Sequence, residues 1–111
     1  MKWLNKLIFE GEYLKGKKNG KGKEYYFNGK LKFEGEYLNN NKWNGKGYNE
    51  NGNIIYELIN GNGKVYEYDS TGINIFDGEY LNGVMWNGKI KCFNIKGELT
   101  KEIEFKNGKK K

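Results

Sequence analysis

A short sequence block recurs along the chain and limits the folds available to it. The hexapeptide Phe-Glu-Gly-Glu-Tyr-Leu occupies positions 9–14 and 33–38, and a copy with one conservative change occupies positions 76–81. A second block, Asn-Gly-Lys-Gly, follows the first two copies at positions 19–22 and 44–47. Short repeats of this kind are typical of proteins that stack one supersecondary unit several times.

Turn-forming residues divide these repeats into units. Asn-Gly-Lys-Ile follows the third hexapeptide at 87–90, and an eroded unit before it keeps Asn60-Gly61-Asn62-Gly63. Asn-Gly is a strong hairpin signal because both residues tolerate a positive φ. The turns that close the units are expected at Asn28-Gly29, Asn51-Gly52, Thr71-Gly72 and Lys96-Gly97, with one more beginning at Asn107-Gly108.

Each unit is predicted to be a β-hairpin. In the first hexapeptide Phe9, Gly11 and Tyr13 share one face of a strand, because side chains alternate between faces. A glycine at mid-strand weakens a sheet unless something packs over it, and we expect an aromatic ring from a neighbouring strand to do so. Helices are disfavoured because Gly or Asn interrupts every long window, and the absence of Pro leaves strand pairing unhindered.

The composition fits a thin sheet. Hydrophobic residues make up only 36% of the chain, and 9 Tyr, 6 Phe and 3 Trp supply much of that fraction. We therefore predict an all-β fold, an elongated, twisted, single-layer antiparallel β-meander of roughly nine or ten strands built from tandem β-hairpins. It forms a single repeat domain over 1–111, with units at about 9–32, 33–56, 57–75 (degenerate) and 76–100, and a terminal strand and basic tail at 101–111.

The repeated residues resemble the MORN (membrane occupation and recognition nexus) repeat. The matching positions are Phe9, Gly11, Tyr13, Gly20 and Gly22, then Phe33, Gly35, Tyr37, Gly45 and Gly47, then Phe76, Gly78, Tyr80 and Gly88. Ile90 replaces the last glycine of the fourth unit. The third unit keeps only Gly61 and Gly63, which weakens the expectation of regular stacking between Ile54 and Tyr68. Choline-binding repeats are a weaker match, because they need Trp-rich cages.

Two sets of aromatic residues are candidate partner-binding residues. Trp43 and Trp86 occupy the same place in two units, in hairpins one residue longer than the first. They are either anchors for a partner or structural caps over a sheet glycine, and the structural interpretation is favoured. The second set is a row of rings that either forms an exposed apolar strip or packs as the core of the sheet, and the core interpretation is favoured: Phe9, Tyr13, Phe33, Tyr37, Phe76 and Tyr80.

The sequence offers no enzyme chemistry. An acidic row recurs in every good unit, whereas a catalytic pair would be unique, and cross-strand lysines such as Lys21 and Lys23 explain it more simply. The row consists of Glu10, Glu12, Glu34, Glu36, Asp77 and Glu79. There is no His to activate Cys92 or to bind a metal. We expect no catalytic residue, no metal site and no cofactor.

The net charge of +6 comes entirely from lysine, without arginine. Lysines attract anions diffusely, so an anionic membrane surface is a candidate partner. The tail residues Lys109, Lys110 and Lys111 are either lipid contacts or a frayed terminus. Nucleic acid is disfavoured because the glutamate rows would repel phosphate. The first residues do not resemble a signal peptide, so we expect an intracellular protein, cytoplasmic or peripheral to a membrane.

These observations favour a non-catalytic protein-interaction or scaffolding module. The MORN resemblance implies an unidentified protein partner, and dimerisation of the chain through its end strand. The first alternative is peripheral binding to anionic lipids through Lys and exposed aromatics. A lesser alternative is an antitoxin-like or immunity-like protein that covers a partner.

Overall fold

The computed structural model describes residues 8–69 and 72–111, which form ten β-strands and no helix. The strands are β1 (Phe9–Leu14), β2 (Lys17–Tyr25), β3 (Leu31–Leu38), β4 (Asn41–Tyr48), β5 (Ile54–Leu58), β6 (Gly63–Tyr68), β7 (Asn74–Leu81), β8 (Val84–Phe93), β9 (Leu99–Lys106) and β10 (Lys109–Lys110). They pair antiparallel in chain order as two five-stranded sheets, β1 to β5 and β6 to β10. The predicted all-β meander of hairpins is confirmed.

Two kinds of turn alternate along the meander. Tight two-residue turns with positive φ at both positions lie on one side, which we call the tight-turn rim: Lys15-Gly16, Asn39-Asn40, Asn60-Gly61, Asn82-Gly83 and Asn107-Gly108. Longer turns lie on the opposite rim and include the predicted Asn28-Gly29, Asn51-Gly52 and Lys96-Gly97. Thr71 lies outside the described residues. In the regular units the Asn-Gly pairs of the second block lie within strands, after the tight turn, whereas Asn60-Gly61 of the third unit is itself a tight turn.

An asparagine ladder holds successive tight turns together. The Oδ1 atoms of second-block asparagines accept hydrogen bonds from the first turn residue of the next hairpin. The pairs are Asn19 with Asn39 at 3.2 Å, Asn44 with Asn60 at 2.8 Å, Asn62 with Asn82 at 2.9 Å and Asn87 with Asn107 at 3.1 Å. The eroded unit keeps this contact through Asn62. Each tight turn is thus fixed beside the one before it.

Aromatic rings cover the glycines on one face of the sheets, which we call the inner face. A Cβ atom on Gly22 would lie 2.9 Å from the rings of both Phe9 and Tyr37. The ring of Tyr56 occupies the corresponding space over Gly47. The sequence predicted that a ring from a neighbouring strand covers the hexapeptide glycines, but a Cβ atom on Gly35 or Gly78 would first meet the backbone of the next strand, and the rings cover glycines of the second block instead.

The ladder of strands is interrupted once, in the eroded third unit. Strand β5 has five residues, whereas β3 and β7 have eight each. Beyond it, one isolated bridge between Ile59 and Asn62 links β5 to β6. The sequence predicted one continuous, elongated layer, but the short β5 ends the first sheet and the molecule measures 40 × 37 × 28 Å.

The two sheets share one hydrophobic core on their inner faces. Its buried members are Phe33, Tyr37, Tyr56 and Leu58 from the first sheet, and Val65 and Phe76 from the second. Phe9 and Tyr80 pack against this cluster from either side. A chain with few aliphatic residues thus obtains a core by bringing two aromatic faces together.

Gly35→Ala tests the dependence of the sheet on glycine. A Cβ atom there would overlap the Asn44 carbonyl oxygen and lie 2.6 Å from the Gly45 Cα atom. We expect the free energy of unfolding to fall by about 1–3 kcal/mol, because the backbone of the neighbouring strand would have to move to make room for the Cβ atom. Urea unfolding measures this. The control is Glu34→Ala, which removes an exposed ion pair worth about 0–1 kcal/mol. Equal losses in the two variants would contradict the prediction.

Candidate functional site

The predicted row of aromatic candidates is divided between core and surface. Phe33, Tyr37 and Phe76 are 0, 4 and 2% exposed, so these three rings cannot contact a partner from the surface. Their burial follows from the absence of other large groups to fill the core. Tyr13 is 59% exposed, whereas Phe9 and Tyr80 are half-buried. Any surface role of the row is confined to these last three residues.

An ion triad lies within the shared core and joins the two sheets. Lys42 on β4 places its Nζ atom 3.4 Å from Glu24 Oε1 on β2 and 3.1 Å from Glu67 Oε2 on β6. The side chain of Lys42 is only 13% exposed, and its Nζ also donates to the Tyr56 hydroxyl at 3.4 Å. The sequence analysis missed this cluster, because it falls outside the repeated blocks.

The triad shifts the pKa values of Glu24 and Lys42. Burial raises the pKa of the Glu24 carboxyl, but Lys42, the hydrogen bond from the Tyr37 hydroxyl, and the nearby Lys32 and Lys18 outweigh burial and lower it below 4.5. Burial lowers the pKa of Lys42, yet Glu67, Tyr56 and Glu24 raise it well above its ordinary value. Glu24 and Lys42 are therefore both held in their charged forms at neutral pH.

This charged cluster is fully satisfied. The Tyr37 hydroxyl donates to Glu24 Oε1 at 2.7 Å, and no buried side-chain polar atom of the described residues lacks a partner. The described residues also contain no group of His, Cys, Asp or Glu able to hold a metal ion. The arrangement joins β4 to β2 within the first sheet and to β6 in the second sheet. Its charged groups already pair with one another.

The two tryptophans occupy β-bulges beside the tight-turn rim. Trp43 is the extra residue between two ladder pairs of β3 and β4, and Trp86 is its equivalent between β7 and β8. The ring of Trp43 lies against the turn glycines Gly61 and Gly83, and the ring of Trp86 lies against Gly108. Both rings are half-buried. The longer hairpins thus arise from bulges, because the turns themselves stay two residues long.

A row of aliphatic side chains follows the tight-turn rim, and the sequence analysis did not identify it. Each member lies directly beside a tight turn, where a strand ends or begins, and is exposed. The row consists of Leu14 (57%), Leu38 (41%), Ile59 (61%), Leu81 (37%) and Val84 (44%). These side chains make the tight-turn rim partly apolar. The repeated leucine that ends each hexapeptide could have revealed it.

The face opposite the core carries alternating charges. Glu34 lies opposite both Lys23 and Lys46, and Lys23 Nζ is 3.6 Å from Glu34 Oε2. Lys21 pairs with Glu36 in the same ladder. The acidic row predicted from the sequence therefore faces cross-strand lysines, as expected. Glu12 differs, since its Oε1 accepts a hydrogen bond from the Lys21 N–H at 2.7 Å.

The basic tail is part of the second sheet. Lys109 and Lys110 form β10, opposite Lys106 and Phe105. The Lys111 N–H donates to the Glu104 carbonyl oxygen at 2.8 Å. The tail is therefore paired with β9, whereas one interpretation of the sequence expected a frayed terminus. Among the described residues, none belongs to a helix that is long and apolar enough to cross a membrane.

Lys42→Met tests the triad. The change leaves Glu24 and Glu67 poorly solvated without a counter-charge, so we expect the free energy of unfolding to fall by about 3–5 kcal/mol at neutral pH. In the unaltered chain the lowered pKa of Glu24 adds stability that is lost as the pH falls below 4.5. In the variant, burial is no longer opposed by Lys42, so acidification recovers part of the loss.

Urea unfolding at neutral pH and below pH 4.5 measures both effects. Lys46→Met is the matched control, because Lys46 lies on the same strand with its side chain exposed on the opposite face. A loss no larger than that of the control, or one independent of pH, would show that the triad does not stabilise the fold.

Comparison with known proteins does not assign the chain to a family. No protein-family model matches it, and neither the curated proteins nor the solved structures contain a significant match.

Proposed function

We propose that this protein is a non-catalytic protein-interaction and scaffolding module of the MORN type, and that it binds its partner through the tight-turn rim. The observation that carries the proposal is the row of exposed aliphatic side chains at equivalent places in consecutive hairpins. Leu14, Leu38 and Leu81 end their strands in the same way, so a partner meets the same group repeatedly along one line.

The rim has the rigidity that a binding surface needs. Its turns are fixed to one another by the asparagine ladder, and backbone hydrogen bonds join Gly61 to Trp43 at 2.7 Å and Gly83 to Gly61 at 2.9 Å. Trp43 and Trp86 lie beside the same turns and offer half-buried rings next to the aliphatic row. Pre-ordered apolar side chains lose little entropy on binding.

The test is a quantitative affinity purification from cells of the source, with the full chain as bait. The rim variant carries Leu14→Ser, Leu38→Ser and Leu81→Ser. The matched control carries Ile54→Ser, Ile95→Ser and Leu99→Ser, which are also exposed but lie on the opposite rim. We expect a partner retained by the native chain and the control to be depleted by about tenfold or more with the rim variant, since each leucine buried in an interface contributes more than 1 kcal/mol.

Circular dichroism confirms that both variants keep the sheet before they are used. A partner that is retained equally by all three proteins would overturn the role of the rim. A native chain that enriches no protein above a bait-free control would overturn the interaction function itself.

A second candidate function, binding to anionic membranes, is favoured by one observation on the terminal hairpin. Strand β10 places Lys109 directly opposite Lys106, and like charges in facing positions destabilise a ladder. Lys110 and Lys111 are exposed nearby. An anionic surface in contact with this hairpin would relieve the repulsion, and each lysine near such a surface contributes about 1 kcal/mol.

Vesicle flotation tests this candidate. We expect the chain to float with phosphatidylserine vesicles at low salt, to be released at high salt because the attraction is screened, and not to float with neutral vesicles. Lys106→Gln with Lys109→Gln reduces flotation more than Lys23→Gln with Lys46→Gln, which removes the same charge from the first sheet. No flotation at low salt would exclude membrane binding of this kind.

A further inference from the structure

A cleft opens between the two sheets, separate from the tight-turn rim. Its volume is about 320 Å³. One wall comes from β1 to β3 and includes Phe9, Lys18 and Lys32, and the facing wall comes from the second sheet through Tyr68 and Ile75. Sites for small molecules begin at about 300 Å³, so this cleft has room for a ligand the size of one substituted ring.

Two lysines in the cleft form no ion pair within 4.0 Å with a carboxylate of the described residues. Lys18 Nζ lies 4.2 Å from the centre of the Phe9 ring, and Lys32 Nζ lies 5.6 Å from the centre of the Tyr26 ring. Both lysines are half-buried, and both are near enough to lower the pKa of Glu24. Two ammonium groups held over aromatic rings can still each donate charge-assisted hydrogen bonds to an anion.

The two carboxylates that line the cleft already have partners. Glu24 accepts a hydrogen bond from the Tyr37 hydroxyl and forms an ion pair with Lys42. Asp69 Oδ1 accepts a hydrogen bond from the Ile73 N–H at 3.1 Å. Both carboxylates are thus already in contact with donors, whereas the ammonium groups of Lys18 and Lys32 keep donors for a ligand in the cleft.

The repeat pattern is broken at this wall. The longer turns begin with Asn49, Asp69 and Asn94, whose Oδ1 atoms accept backbone hydrogen bonds within the turn. The first such turn begins instead with Tyr26, which is 4% exposed and donates its hydroxyl to the Tyr48 carbonyl oxygen at 2.8 Å. At this position the first turn therefore has an aromatic ring that lines the cleft, where the other turns have a side-chain oxygen that stabilises the turn.

We propose that the cleft binds a small aromatic anion, a carboxylate or phosphate group attached to a flat ring. Lys18 and Lys32 hold the anionic group, and the ring packs among Phe9, Tyr26 and Tyr68. Aromatic side chains favour a flat ring through offset or edge contacts, whereas the lysines supply point charges that suit either anion. The proposal is independent of the protein-interaction function, because no rim residue lines the cleft.

Titration of the isotopically labelled full chain, followed by two-dimensional amide NMR, tests the proposal. The probes are phenyl phosphate and phenylacetate, with inorganic phosphate as an anion without a ring and benzyl alcohol as a ring without an anion. We expect saturable shifts at the amides of Phe9, Tyr26 and Tyr68 with both ring anions, and at least about tenfold weaker binding of the other two probes.

Lys18→Gln with Lys32→Gln is expected to weaken phenyl phosphate binding by about tenfold or more. Lys23→Gln with Lys46→Gln removes the same charge from the opposite face and leaves binding unchanged. The amide spectra report whether each variant is folded. Three results would each overturn the proposal: no saturable shift, equal binding by both double variants, or inorganic phosphate binding as tightly as phenyl phosphate.

Discussion

The fold depends on the packing of aromatic rings over glycines that face one another across the strands. A single sheet buries little area unless large side chains lie flat on it, and they can do so only where the residue beneath has no Cβ atom. Gly22 lies beneath both Phe9 and Tyr37, and Gly47 lies beneath Tyr56. The glycines that weaken each strand locally are thus the positions at which neighbouring strands are held together.

The same packing explains why the eroded unit does not break the fold. Tyr56 covers Gly47 although its own strand is short, and Leu58 and Val65 fill the core where other units have a ring or a glycine. The backbone hydrogen-bond ladder is interrupted between β5 and β6, but the buried side chains of Leu58 and Val65 belong to one core on either side of the interruption. The ion triad of Glu24, Lys42 and Glu67 joins the two sheets, because its members come from both.

The sequence predicts whatever the repeat makes periodic. The hairpins and the turns at Asn28-Gly29 and Lys96-Gly97 follow from residue type at fixed spacing, whereas the rings cover second-block glycines rather than the hexapeptide glycines that the sequence indicated. The break between the sheets could only be suspected from the short third unit. Features that depend on where the sheets meet were not predictable, since Lys42 and Tyr26 belong to no repeated block and their partners are distant in sequence.

Periodicity alone does not separate core rings from surface rings. Rings that recur in every unit are the natural candidates for contact with a partner, yet recurrence is what a core requires, and Phe33 and Phe76 are buried for that reason. The leucine that follows each tyrosine recurs equally well, but it alternates to the outside and remains exposed. In a repeat of this kind, the phase of a residue within the strand decides between core and surface, and its conservation across units does not.

The interruption between the sheets has a consequence for binding. In a continuous flat meander, Lys18 and Lys32 would be two of many solvated surface lysines on an open face. Because the second sheet approaches through Tyr68 and Ile75, the same lysines line a cleft with aromatic walls, where an ion pair is less screened than at the surface. The irregular third unit, at which the two sheets separate, therefore gives this repetitive chain a cleft between its sheets.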